Sequence, residues 1–324
     1  ADGEMAAALF SNLTENPSRL ILWQTIFLGL CVGVVAGGVK KGLGSAVEVL
    51  MPLLFVMLLG MLLYAILNGN FSAAWNFLFA VDFSSLTWRA VLEAMGLAFF
   101  TLSLGMGSIM AYGAYMPADA SIGKTVLIVA LFDSLVAIIA GLVIFSIVFS
   151  TTGIEPSAGP GLMFISLPVA FGNMPGGLLI GVVFFILVAI AAWSSAISLL
   201  EPAVAWLMEA KHIGRITANV VLASLAWALG LGTVFSFNIA ADMTVAGFTF
   251  FDALDFLTAN IMLPLGGLGI ALFVGFVMKR ELVSGQMSEM NGTAMGMWRL
   301  ALCYLAPVAI ASIFVMGIYD KFFL

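Results

Sequence analysis

Apolar residues gather along this chain into long runs, and the polar positions fall mostly between the runs. A helix crossing a bilayer core takes about 20 apolar residues. Eight runs reach that length, near residues 19–39, 45–67, 88–116, 123–151, 175–208, 215–236, 251–278 and 297–318. Each ends where charges, glycine–proline pairs or polar clusters interrupt it. The pattern predicts an all-α integral membrane protein of about eight transmembrane helices, forming a single transmembrane domain over residues 1–324.

Charge orients the runs. Every other connection is basic: Lys40 and Lys41 follow the first run, Lys124 the third, Lys211 and Arg215 the fifth, Lys279 and Arg280 the seventh. The intervening stretches 69–87, 152–174 and 237–250 contain no Lys or Arg. The positive-inside rule therefore places the basic connections in the cytoplasm and both termini outside. Residues 1–19 are polar and acidic, do not begin with Met and show no basic-then-apolar signal pattern. Their outside placement calls for an odd number of further spans ahead of them, so the topology predicts the C-terminal part of a longer membrane protein, with a processed N-terminus as the alternative. In the stretch 152–174, with Pro156, Pro160 and Pro168, the apolar segment Leu162 to Phe171 predicts a short re-entrant or lid helix on the outer face.

Composition agrees. Hydrophobic residues make up 63% of the chain and charged residues 9%, against about 25% charged in ordinary globular domains, and the mean hydropathy is +1.19. The missing solvent is lipid. A formal charge of −6, from 11 Lys+Arg against 17 Asp+Glu, leaves no basic face for nucleic acid. Cys31 and Cys303 lie inside apolar runs and read as buried small hydrophobes, not as a disulfide or a metal site. The one histidine, His212, falls in a cytoplasmic connection, and no HExxH, GxSxG or paired intramembrane Asp motif appears, which argues against a membrane enzyme.

Candidate chemistry sits within the runs. Gly105-Met106-Gly107 occupies the middle of the third, flanked by Ser103 and Ser108. Two glycines so close weaken a helix by about 1 kcal/mol each, and a break there would free backbone groups for ions and for charged substrate groups; close helix packing through small residues is the other reading. Ser194 and Ser195 form a second polar cluster in the fifth run, with hydroxyls suited to Na⁺ or to gluing helices together. Asp133 lies about ten residues into the fourth run, where a carboxylate is costly unless it meets a cavity, a cation or a proton path. Glu201, near the cytoplasmic end of the fifth, reads as a cap or a snorkelling group on one view and as functional on the other. Glu48 and Glu93 lie near run ends and read as solvated. Asp252 and Asp255 open the seventh run, either stabilising a helix N-terminus or serving as a gate charge.

In this order, the segments resemble the neurotransmitter:sodium symporter family, in particular its bacterial eleven-span amino-acid transporters, over almost the whole chain. Phe99-Phe100-Thr101-Leu102-Ser103-Leu104-Gly105-Met106-Gly107 is similar to the family's broken sixth helix. Asp133 to Gly141 resembles the seventh, Ser194 to Glu201 the eighth and Asp252 to Asp255 the tenth, while Gly42 and Pro52 match a Gly and a Pro ten residues apart in the fifth. The resemblance implies a leucine-transporter-like fold of two inverted repeats, here lacking its first three helices, in the plasma (inner) membrane. It also implies roles by position. Phe100, Thr101, Ser103, Met106, Ser195 and Leu199 match substrate-pocket positions. Thr101 and Asp133 match ligands of a first sodium site, and the Ala191 carbonyl, Ser194 and Ser195 those of a second. Asp255 matches an outer gate acid, and Gly42 and Pro52 a segment that unwinds to open a cytoplasmic water path.

Where chloride-dependent members hold Cl⁻ with Gln, Ser, Asn and Ser, this sequence has Leu97, Thr101, Asp133 and Ala137. The expected function is thus sodium-coupled, chloride-independent symport of a hydrophobic or aromatic amino acid, Met106 leaving room where some relatives carry Phe. The partners expected are the amino acid, sodium ions and the lipid bilayer, with the first three helices supplied by a separate chain as one arrangement. The alternatives are proton coupling through Asp133 or Glu201, and a non-transporting fragment or split subunit.

Overall fold

The structure is a computed structural model, and it describes residues 3–80, 83, 86–117, 120–151, 160–245, 247–287 and 290–323. Among the described residues, seven helices are long and apolar enough to cross a membrane: Pro17–Ala36, Lys41–Asn68, Ile122–Val148, Gly177–Lys211, Arg215–Ser236, Phe250–Val277 and Gly292–Tyr319. They match seven of the eight predicted runs to within a few residues. The remaining run is divided where its glycines are.

In chain order the helices are α1 (Gly3–Thr14), α2 (Pro17–Ala36), α3 (Ser45–Asn68), α4 (Phe71–Phe79), α5 (Trp88–Thr101), α6 (Ser108–Ala114), α7 (Ile122–Val148), α8 (Leu167–Gly172), α9 (Gly177–Lys211), α10 (Arg215–Ser236), α11 (Phe250–Phe256), α12 (Leu263–Leu272), α13 (Arg280–Gln286), α14 (Gly292–Leu300) and α15 (Ala306–Phe323). Local chemistry starts several of them. The Asn16 side chain accepts from the Arg19 N–H ahead of Pro17, Thr87 from the Ala90 N–H, and Asn291 from the Ala294 N–H. Wider π-helical turns join or interrupt the long elements at Val39–Gly44, Leu162–Ser166, Leu257–Met262, Phe273–Val277 and Ala301–Leu305. The apolar pattern contains no signal for these turns.

Two short helices also go beyond the sequence reading. Residues 3–14, taken above for their polarity, are helical as α1, and Phe10 stacks on Phe164 with ring centroids 5.5 Å apart. α4 lies in a stretch read as a connection. The expected helix at Leu162 to Phe171 is present, π-helical and then α8, with Leu167, Val169, Ala170 and Phe171 buried. Residues 152–159, including Pro156, lie outside the described residues.

The chain divides into two compact units, Ala1–Val81 with Leu135–Phe250, and Asp82–Ser134 with Phe251–Leu324. In the first, Leu58, Met61, Val143, Ile147, Phe171 and Phe184 belong to one apolar core. Polar side chains also tie α2 to α10: Gln24 donates to the Trp227 carbonyl (2.8 Å), the Trp227 indole to Thr25 (2.9 Å) and Asn219 to the Val32 carbonyl (2.9 Å). In lipid, such directional bonds and close packing join helices because apolar contact alone gives little preference over lipid tails. In the second unit small residues bring helices together: Gly96 meets Ile313, and Gly267 lies under the Phe99 ring. Cys31 and Cys303 are both free and buried.

Candidate functional site

α5 stops at Thr101 in a Schellman-type turn: the Ser103 N–H bonds the Phe100 carbonyl (3.0 Å) and the Leu104 N–H the Phe99 carbonyl (2.9 Å). Such a turn needs a left-handed residue, and Ser103 takes it with φ 53°. Gly105 and Gly107 follow at φ 82° and 84°, and Gly107 caps α6. The five residues from Ser103 to Gly107 thus alternate in hand and cannot continue a helix.

Gly105 meets a second requirement. A Cβ on it would collide with the Leu263 carbonyl oxygen and lie 2.9 Å from the Gly267 nitrogen. The helix therefore breaks at the glycines, and the broken segment also packs backbone to backbone on the start of α12. Phe100 is exposed, while Ser103 and Met106 are half-buried.

Next to the break, the Thr101 hydroxyl donates to Asp133 Oδ2 (3.1 Å), joining α5 to α7 across 32 residues of sequence. Asp133 is half-buried within the membrane-spanning α7. A carboxylate and a hydroxyl at this spacing form a hard-oxygen pair of the kind that suits Na⁺ better than a soft metal. Among the described residues, no group of three or more His, Cys, Asp or Glu comes together as a metal cluster.

The other acidic candidates of this second unit lie in α11. Asp252 lies in the first turn of α11. Asp255 is exposed, and its backbone carbonyl accepts from Thr258 (3.1 Å).

In the first unit, Ser194 donates to the Ala191 carbonyl (2.9 Å), and Ser198 to the Ser194 carbonyl (2.9 Å). Ser195 and Leu199, one turn apart on α9, are exposed on a common face. Gly42 lies in the π-helical turn, where a Cβ would collide with the Val34 carbonyl oxygen and approach the Gly37 carbonyl carbon at 3.0 Å. Only glycine lets that turn close on the end of α2. Pro52 sits inside α3.

Glu201 requires a correction. It neither caps nor snorkels: the residue is fully buried in α9 and forms an ion pair with Arg215 Nη2. Arg215 also donates from Nε to the Val35 carbonyl (2.8 Å), linking α2, α9 and α10. The sequence reading counted Arg215 only as an orienting charge, and passed over the fully buried Asn219 one turn beyond it. The available signal was a charge facing Glu201 across a short connection, four residues ahead of an Asn inside an apolar helix. Glu48 is exposed and Glu93 pairs with Arg89 at the surface (3.1 Å), in line with their placement at helix ends.

Three comparisons bear on these features. Residues 10–322 match the model of the sodium:neurotransmitter symporter family. A Bacillus subtilis protein named only as a sodium-dependent transporter, YhdH, is 33% identical over 313 residues, which are 95% of this chain and 68% of that protein. A Haemophilus influenzae sodium-dependent transporter is 31% identical over 309 residues, 95% of this chain and 67% of its own length. The crystal structure of MhsT in complex with L-phenylalanine is 38% identical and superimposes with a TM-score of 0.86, covering 96% of this chain and 71% of that one.

Proposed function

Because the chain belongs to the sodium:neurotransmitter symporter family, we propose that this multi-pass, sodium-dependent transporter couples inward Na⁺ movement to uptake of a hydrophobic or aromatic amino acid, without chloride. The observation that carries this reading is the Thr101–Asp133 contact beside the broken helix (3.1 Å). Asp133 supplies a fixed negative charge where chloride-dependent relatives would need a bound anion, so Na⁺ is balanced by the protein itself. We assign Thr101 and Asp133 to one sodium ion, and the Ala191 carbonyl, Ser194 and Ser195 to a second.

The substrate assignment rests on Phe100, Thr101, Ser103, Met106, Ser195 and Leu199. Three large apolar side chains stand beside three hydroxyls, which suits a hydrophobic amino acid, and Met106 is a flexible lining. The phenylalanine bound in the similar MhsT structure points the same way. Backbone groups exposed between Ser103 and Gly107 serve the charged amino and carboxylate groups.

Coupling follows from shared preference. Na⁺ and amino acid each stabilise the occluded state, so each raises the other's affinity by the same factor. Asp255 acts at the outer gate. Gly42 and Pro52 weaken the cytoplasmic end of the α3 span, so that it opens toward the cell interior.

The deciding experiment is uptake of labelled Phe, Leu and Trp into proteoliposomes holding the protein expressed from its complete reading frame. An inward Na⁺ gradient should drive accumulation equally in chloride and gluconate. Uptake unchanged when choline replaces Na⁺, a strong stimulation by chloride, or a preference for glycine or charged amino acids would each overturn the corresponding part.

A further inference from the structure

Among the described residues, Arg215 is matched to the buried Glu201 and Arg89 to Glu93. At the other end of the second unit the cations are arranged differently. Lys279 and Arg280 follow directly on the span Phe250–Val277, both exposed, and Arg299 lies in the first turns of the next span, Gly292–Tyr319. Arg299 Nη2 donates to the Gly275 carbonyl (3.3 Å), which also accepts from Cys303 Sγ (3.6 Å). That clasp holds the two spans together where both are π-helical, at 273–277 and 301–305, and it carries Arg299 to the span end that bears Lys279 and Arg280. Among the described residues, no carboxylate pairs with any of the three. Glu281, in the first turn of α13, stands next to Arg280 but forms no ion pair with it.

The adjoining surface is apolar and aromatic. Phe276 and Tyr304 are 59% and 66% exposed and pack edge to face with ring centroids 6.4 Å apart, and Leu300 is exposed beside them along the chain. Three cations without a carboxylate partner among the described residues, at a membrane boundary and above an exposed aromatic and aliphatic face, complement a molecule with an anionic head and hydrocarbon tails. The positive-inside rule puts this boundary on the cytoplasmic side, where anionic lipids attract basic residues.

We propose that Lys279, Arg280 and Arg299 form a binding site for the phosphate of an anionic phospholipid, whose acyl chains lie along Phe276, Leu300 and Tyr304. The lipid then bridges the last two spans. Because α12, in the same span, seats the broken segment at Gly105, the bound lipid steadies the support of that segment.

The test is native mass spectrometry of the full chain from nanodiscs of phosphatidylcholine containing a minor fraction of phosphatidylglycerol. Variants are Lys279→Gln with Arg280→Gln, the same pair with Arg299→Gln, and a control of equal charge loss at other cytoplasmic positions, Lys41→Gln, Lys124→Gln and Lys211→Gln. The expected result is selective retention of phosphatidylglycerol by the unaltered protein, falling about fivefold for each cation removed from the cluster, and little changed in the control. The double variant alters only exposed side chains, so a loss there does not reflect misfolding, and Arg299→Lys should restore part of the retention in the triple variant. Equal loss in the control would reduce the three cations to ordinary orienting charges and overturn the proposal. Displacement of the lipid by millimolar inorganic phosphate would overturn it too, because the site would then recognise the anion without its tails.

Discussion

Arg215 reaches Glu201 from the first turn of α10, and the carboxylate that it meets has no exposed surface at all. Arg215 itself is 19% exposed at its side chain, so the two ends of this pair stand in unequal solvent. Removing the arginine takes the ion-pair partner away from a fully buried carboxylate, whereas removing the carboxylate leaves a cation that can reach water. Arg215→Ala should therefore destabilise by about 3–5 kcal/mol, the usual effect of breaking a buried ion pair. Glu201→Gln should cost clearly less, and replacing both residues with Met should recover much of the loss. Thermal unfolding in detergent with a double-mutant cycle measures all three; equal losses for the two single variants would contradict the asymmetry.

At Ser103 local stability and the proposed role pull apart. The residue holds φ 53°, which for any side chain other than glycine costs about 1–2 kcal/mol. Ser103→Gly should raise the melting temperature while weakening substrate binding, because the hydroxyl proposed to hold the amino acid is lost. A scintillation proximity assay with labelled phenylalanine, run beside the unfolding curve, separates the two effects. Unchanged affinity would remove Ser103 from the pocket.

Gly105→Ala tests the seating of the broken segment. The substitution adds a methyl at φ 82° that runs into the Leu263 carbonyl oxygen, so strain and collision act together. A loss of at least about 1–3 kcal/mol is expected, with uptake abolished. Gly113 provides the control: it lies in α6 with nothing within 4 Å of an added Cβ, and Gly113→Ala should be neutral or stabilising by about 1 kcal/mol. If both variants behave alike, the contact between Gly105 and the start of α12 has no energetic role.

The spans were legible because length and apolarity are properties of single segments, and lipid demands both. The break was legible as well, since Gly105 and Gly107 carry a backbone preference in their own identity. What adjoins the break was not. That Gly105 rests on Leu263 and Gly267 depends on a segment about 160 residues away, and glycines at both positions look alike in sequence. The cap or snorkelling alternative for Glu201 fails for the same reason: depth in a span suggested its surroundings, but its partner lies on the next helix. The π-helical turns at 257–262, 273–277 and 301–305 were invisible because a single added residue per turn leaves a mainly apolar pattern almost unaltered. The Thr101–Asp133 contact stood between these extremes. Asp133 stands out by its depth in a span, whereas Thr101 enters only through the resemblance, which pairs the two.

Asp133→Asn reads out that contact most directly. The substitution keeps the size of the side chain and its ability to accept from Thr101 Oγ1, but removes the charge proposed to balance Na⁺. Opposite charges about 4 Å apart attract by about 4 kcal/mol at the effective dielectric of a partly solvated site, so even a fraction of that lowers Na⁺ affinity by tenfold or more. In gluconate, uptake by the variant should fall accordingly. Chloride can then occupy the neighbourhood the carboxylate has vacated, with Thr101 Oγ1 and the new amide as donors, and should restore part of the activity. Sodium-activation curves in chloride and gluconate, for the unaltered protein and the variant, give four numbers. The proposal requires that only the variant's pair differ. Chloride stimulation of the unaltered protein, or a variant that keeps its Na⁺ affinity in gluconate, would show that Asp133 does not stand in for the anion.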